Sequence, residues 1–113
     1  MGSNTLRHLS RVLLQCIRQV DTLARYGGDE FTVLLADTGS EEAMVIAERI
    51  RRTVEETLFE GGRGTPIRLT ISIGVASYPQ HAAERDSLLD TADKAMYRAK
   101  SLGRNCCCCA SDL

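Results

Sequence analysis

Between two apolar runs the chain reads Arg25-Tyr26-Gly27-Gly28-Asp29-Glu30-Phe31, which sets its most permissive backbone directly before its densest local negative charge. In isolation, a Gly-Gly pair between strand-like segments is a two-residue hairpin turn whose carboxylates keep the strand end hydrated. Two cations, Lys100 and Arg104, fall within one turn of each other near a helix end, where they are available to a polyanion or complement the helix dipole. Arg18 and Asp21 form an RxxD sequence that reads locally as a helix-end ion pair. Cys16 stands alone, while Cys106-Cys107-Cys108-Cys109 are consecutive. Zinc sites use spaced pairs and disulfide frameworks use separated partners, so the run reads first as a short terminal strand of small residues, with metal capture or oxidative cross-linking as the alternative. The chain contains no Walker-type glycine-rich loop, so phosphate binding is not assigned to a P-loop.

The elements that must carry these residues follow from periodicity. Leu6, Leu9, Leu13, Cys16, Ile17 and Val20 recur at three- and four-residue steps, predicting a helix that ends near Arg18. Thr22 to Tyr26 reads as a short strand, and Phe31 to Ala36 as a strand apolar on both faces and central in a sheet, the two forming a hairpin with Gly27-Gly28 at its tip. Thr38 and Glu41 suit a capping box for a helix whose Ile46, Ile50, Val54 and Leu58 share one side. Gly61-Gly62-Arg63-Gly64 is a loop, and Ile67, Leu69, Ile71, Ile73 and Val75 alternate strictly as one strand. After a turn around Pro79, Asp86 or Ser87 caps a final helix bearing Leu88, Leu89, Ala92, Ala95, Met96 and Ala99, closed by Gly103. The order helix, strand, strand, helix, strand, helix, strand describes an α/β (α+β) sandwich with helices packed on an antiparallel-containing sheet.

Composition bounds the function. The 113 residues suit one domain, and no internal repeat or linker divides them. A net charge of −1 from 14 basic and 15 acidic residues carries no footprint for nucleic-acid polymers or anionic membranes. No apolar run approaches membrane-spanning length and no secretory signal pattern is present, which leads to the expectation of a cytoplasmic domain without membrane contact.

Three separated stretches, RYGGDEF, LTISIGVA (Leu69 to Ala76) and ADKAMYRAKSLGRN (Ala92 to Asn105), together resemble the GGDEF family of cyclic-dinucleotide synthases over nearly the whole chain. The resemblance implies a nucleotidyl-cyclase-like, ferredoxin-type sheet and a reaction joining two nucleoside triphosphates. Two GTP would give cyclic di-GMP and pyrophosphate in a homodimer, each domain holding one nucleotide. It implies that Gly27 and Gly28 lie beneath the nucleotide, where a Cβ would obstruct it. Asp29 would bind Mg2+ or Mn2+, with Glu30 in a supporting catalytic role. Lys100 and Arg104 match family residues that contact the triphosphate. The RxxD, separated from Gly27 by five residues, matches the family's product-binding inhibitory site, together with Arg49. There Arg18 would bond guanine O6 and N7, and Asp21 would accept from guanine N1 and N2.

The chain departs from the family pattern at its start. The family domain opens with a helix and a central strand bearing a further metal-binding Asp, whereas no carboxylate precedes Asp21 here. Residues 1–113 are therefore expected to be the C-terminal portion of a GGDEF domain, inactive as a fragment. Aligning Leu6 with the leucine of the family's GD-x-x-L segment puts Ser3 where most members carry the Asp that reads guanine. This resembles the hybrid-promiscuous branch, which accepts ATP beside GTP and makes cyclic GMP-AMP, because a hydroxyl donates or accepts where a carboxylate only accepts. Met1-Gly2-Ser3 also has the composition of an expression-tag remnant. Two other functions stay open: a catalytically inactive cyclic di-GMP receptor, and a structural dimerisation module.

Overall fold

In a computed structural model, the backbone is described for residues 3–26, 30–61 and 64–113, and side chains for these except 3, 25, 26 and 30. The element order is α1 (Ser3–Cys16), β1 (Thr22–Tyr26), β2 (Glu30–Leu34), α2 (Ser40–Glu56), β3 (Leu58–Glu60), β4 (Pro66–Arg68), β5 (Ile73–Val75), α3 (Arg85–Ser101) and β6 (Cys107–Cys109), with a final 3-10 turn at Ala110–Asp112. The expected mixed α/β sandwich is present. Its described strands form three two-stranded sheets: β1–β2 and β3–β4 antiparallel, β5–β6 parallel.

The apolar stripe of α1 buries Leu6, Leu9, Val12 and Leu13. Leu9, Val12 and Leu13 meet Ile46, Ile50 and Val54 of α2 and Phe59 of β3 in one core, onto which Leu23, Phe31, Ile71 and Ile73 also pack. The helix stops at Cys16, two residues before the sequence places its end, and Val20 is exposed beyond it. Thr5, itself buried, donates from Oγ1 to the Glu60 carbonyl at 2.5 Å and so ties the start of α1 to β3.

Helix α2 corrects two expectations. Its N-cap is Gly39, with no side-chain cap bond, because the Thr38 hydroxyl donates instead to the Ala36 carbonyl at 2.7 Å. At its other end the backbone of Thr57 turns extended, so the inward parity passes to Phe59 and leaves Leu58 exposed. The long strand expected over 67–75 is two short ones. Burial alternates only from 67 to 71, and residues 69–72 have no ladder partner among the described residues, while β4 turns to pair with β3 and β5 pairs with β6.

Two helices enclose the β5–β6 sheet. Ala43 and Ala47 of α2 pack with Val75, Ile73 and Cys107 on one face, and Ala95 and Ala99 of α3 pack with Cys108 and Cys106 on the other. The α3 face is built of small residues, and Gly74 marks its closest approach: a Cβ there would lie 2.1 Å from the Ala92 carbonyl oxygen and 2.2 Å from the Met96 nitrogen. Three of the four consecutive cysteines thus form the small-residue strand β6, with Cys107 facing α2 and Cys108, like Cys106 just before the strand, facing α3, and all four are free thiols. Helix α3 begins at Arg85 with Glu84 at the N-cap, two residues before Asp86, and Ser87 Oγ donates back to the Glu84 carbonyl at 3.0 Å.

Candidate functional site

The antiparallel register pairs Thr22 with Leu34 through to Tyr26 with Glu30, so residues 27–29 connect the strands and Glu30 opens β2. The expected antiparallel pairing of the two strands that flank the glycines is formed. Gly27, Gly28 and Asp29 lie outside the described residues, as do the side chains of Glu30 and Ser3; the backbone of Ser3 opens α1.

The second element of the site is the end of α3. Gly103 N–H donates to the Lys100 carbonyl at 3.4 Å and Arg104 N–H to the Ala99 carbonyl at 3.1 Å. These are the paired bonds of a Schellman stop, made possible by glycine at φ 111°. The stop consumes carbonyls that would otherwise face a ligand as bare acceptors, and leaves Lys100 in the last turn and exposed Arg104 just past it. Lys100 Nζ lies 5.6 Å from the Tyr97 ring centroid, within cation–π reach. Among the described residues, no ion pair or side-chain hydrogen bond engages either cation.

Arg18 and Asp21 come together as the sequence suggests, but through a denser set of bonds. Arg18 donates from its backbone N–H and Nε to Asp21 Oδ2 at 2.9 and 3.1 Å, and from Nη2 to Oδ1 at 3.0 Å. The same Nη2 reaches the Ala36 carbonyl at 2.7 Å and the Thr38 hydroxyl at 2.8 Å. Asp21 Oδ1 also accepts the Ala36 N–H at 3.0 Å. The Asp21 side chain is 1% exposed and its Arg18 partner 47% exposed. The Arg18 hydrogen bonds, together with the Ala36 N–H, hold the Asp21 carboxyl down to about 2, while the same contacts raise the Arg18 guanidinium. In this conformation Asp21 spends its acceptors inside the protein, clasping the α1–β1 connection to the segment that follows β2. Arg18 keeps Nη1 and an exposed edge.

Arg49 lies across the same cleft, donating from Nη2 to the Cys16 carbonyl at 2.7 Å. The cleft, of about 170 Å³, is lined by Cys16, Ile17, Arg18, Asp21, Glu42, Ile46 and Arg49, so the three residues expected at a product site share one concavity. Thr38 and Ala36, which complete the clasp, carry no signal in the sequence because their partner is about 20 residues away. Asn105, at φ 47°, is held by Arg51 and Glu55 of α2, partners that sequence spacing does not report, although asparagine is one of the residues enriched in left-handed backbone.

Asp29 and Glu30 are hard oxygen donors of the type Mg2+ or Mn2+ prefers. Among the described residues, no group of three or more His, Cys, Asp and Glu is placed to hold a metal ion. The described donor set therefore does not make a metal centre by itself.

The family profile described as "Diguanylate cyclase, GGDEF domain" matches residues 1–106. Diguanylate cyclase A of Treponema denticola is 43% identical over 106 residues, covering 92% of this chain and 28% of its own length. The chain thus spans less than a third of that relative. The GGDEF domain of YfiN (TpbB) from Pseudomonas aeruginosa superposes with a TM-score of 0.88 at 35% identity, over 95% of this chain and 62% of that one. The GGDEF domain of DgcB from Caulobacter crescentus, solved in complex with c-di-GMP, gives 0.81 at 25% identity, over 95% and 63%. On a match that runs through almost all of its length, and with the hairpin and the α3 stop both in place, the chain belongs to the GGDEF domain family of diguanylate cyclases.

Proposed function

We propose that this chain supplies the nucleotide-binding part of a diguanylate cyclase that condenses two GTP into cyclic di-GMP. The observation carrying the proposal is the pair of cations at the α3 stop, Arg104 exposed and Lys100 half-buried, neither held by an ion pair or side-chain hydrogen bond among the described residues, in a chain whose family carries this activity in its name. Lys100 and Arg104 bind triphosphate oxygens and hold the nucleotide over the β1–β2 hairpin, where Gly27 and Gly28 leave it room. With two domains face to face, each 3′-hydroxyl attacks the α-phosphorus held by the other. The O3′–P bond forms, the bond to pyrophosphate breaks, and the hydroxyl proton is lost. Asp29 would contribute one oxygen ligand to Mg2+ or Mn2+, with Glu30 beside it, and the remaining ligands come from beyond the described residues. The test is pyrophosphate release from GTP by the full-length native protein; none above background removes the proposal.

Residues 1–113 are read as the C-terminal portion of the catalytic domain. Two features support this: the span of 62% of the YfiN domain, and the absence of a ladder partner for residues 69–72 among those described. Residues 1–113 alone should therefore turn over negligibly, and rapid product formation by them would overturn the reading. The cytoplasm, where GTP is available, is the compartment this activity requires; among the described residues no helix is long and apolar enough to cross a membrane. The cleft of Arg18, Asp21 and Arg49 is proposed as the product site, with Arg18 and Arg49 facing the base and Asp21 anchoring Arg18. Ser3, the first residue of α1, is proposed to relax base choice so that ATP is used beside GTP. Product analysis from equal ATP and GTP tests it: cyclic GMP-AMP should appear and should vanish in Ser3→Asp, and cyclic di-GMP alone from wild type would refute it.

A further inference from the structure

The turn that ends α3 holds consecutive residues in the left-handed region: Gly103 at φ 111°, Arg104 at 66° and Asn105 at 47°. Glycine takes this conformation freely, but two side-chain-bearing residues in succession do so only where the surroundings enforce it. The enforcement comes from α2. Asn105 Oδ1 accepts from Arg51 Nη1 at 2.9 Å, and Asn105 Nδ2 donates to Glu55. Arg51 is itself fixed, its Nε bonded to both oxygens of Glu48 at 3.1 and 3.0 Å, and its Nη1 lies 3.6 Å from Glu55. Its side chain is only 14% exposed. The flanking backbone is pinned as well: Arg104 N–H binds the Ala99 carbonyl, and the Cys106 carbonyl accepts from Ile73 N–H at 3.0 Å. The one side chain in this turn with no structural partner among the described residues is that of Arg104.

We propose that Asn105 is a positioning residue for nucleotide binding: its amide, gripped between Arg51 and Glu55, holds Arg104 in the left-handed conformation that presents the guanidinium beside Lys100. A simple helix stop would not need this grip, since Gly103 already supplies one. The proposal rests on the reading that Arg104 contacts the triphosphate of GTP. Its consequence is that α2, which also lines the Arg18 cleft through Arg49, helps set the geometry of the triphosphate end.

The experiment is a double-mutant cycle on equilibrium binding of GTP with Mg2+ to the full-length native protein. Arg104→Ala, Asn105→Gly and the double variant are compared, glycine being chosen because it accepts the backbone without strain. Arg104→Ala should weaken GTP by about tenfold or more, and Asn105→Gly by about tenfold. In the Arg104→Ala background, Asn105→Gly should add less than about twofold, because its effect passes through the arginine. Glu55→Ala, a change on the exposed side of α2, loosens only one end of the amide; it should move affinity the same way, again only when Arg104 is present. If Arg104→Ala leaves GTP affinity unchanged, the triphosphate reading itself falls. If Arg104→Ala weakens GTP but Asn105→Gly and Glu55→Ala do not, the triphosphate reading stands and the positioning proposal is overturned. An equal loss on Asn105→Gly with and without Arg104 also overturns it, since Asn105 would then act by another route.

Discussion

Replacing Gly74 by alanine tests the packing that places α3, and with it Lys100 and Arg104. The added Cβ would stand 2.1 Å from the Ala92 carbonyl oxygen, 2.2 Å from the Met96 nitrogen and 2.8 Å from the Met96 Cα, all of them helix backbone. Ordinary contact begins at 3.4 Å, so α3 must retreat by roughly 1 Å, since no side chain can rotate out of the way. A gap of that size forfeits about a quarter to a half of each van der Waals contact it opens. Here it opens the layer where Ala95 and Ala99 are fully buried against Cys108. The cost should reach the upper end for overpacked sites, about 3 kcal/mol. At roughly 4 °C per kcal/mol for a domain of this size, the melting point should fall by about 10 °C. The assay is thermal melting followed by circular dichroism, with GTP affinity measured well below the transition. A Gly74→Ala protein that melts within about 2 °C of wild type would refute the close approach of α3 to β5.

Arg18→Ala should weaken cyclic di-GMP binding by between about 5-fold and about 150-fold, the range for a bidentate base contact, and unchanged affinity in calorimetry would leave Arg18 only its structural clasp. The same clasp predicts an acid dependence. The Asp21 carboxyl is held down to about 2, so its stabilising contribution is present above the ordinary carboxylate range and is lost as pH falls from about 4 toward about 2. Denaturant titrations over that window should show a shallower loss in Arg18→Ala than in wild type, and parallel slopes would contradict the clasp. Burial pushes the Cys107 thiol up to about 12, aided by the neighbouring Glu48. Iodoacetamide at pH 8 should therefore leave Cys107 unmodified in the native protein and alkylate it in denaturant, as mass spectrometry would show. The stabilisation from that protonated thiol is present below about pH 9 and lost as pH rises toward about 12.

What was legible in the sequence was whatever depended on local periodicity. The α1 stripe, the β1–β2 pair, the inward face of α2 as far as Val54 and the stop at Gly103 all follow from spacing alone, and the small residues of β6 announce a close-packed strand. The misses share a different cause. Thr38 fails as a cap because Ala36 and Arg18 compete for its hydroxyl, and nothing within a helical turn reveals Arg18 as a neighbour. Leu58 and Phe59 exchange places because the helix ends at Glu56, and three residues of β3 are too few to display a period. The alternation over 67–75 holds in burial only as far as residue 71, because beyond it both faces of the segment are covered, and among the described residues ladder partners exist only for its two ends. In the candidate site, the Arg18, Asp21 and Arg49 that the sequence groups together line one cleft, and Lys100 and Arg104 flank the α3 stop. The clasp that occupies Asp21 and the amide grip on Asn105 are long-range, and spacing cannot report them.

The most direct measurement is the product and stoichiometry of GTP turnover by the full-length native protein, followed by mass spectrometry, beside Asp29→Asn and Arg104→Ala. Cyclic di-GMP should form with two pyrophosphates released per molecule, and both substitutions should suppress it by about tenfold or more. Formation of GDP and phosphate instead, or cyclic di-GMP undiminished in both variants, would contradict the assignment of the hairpin and the α3 stop as the cyclase site.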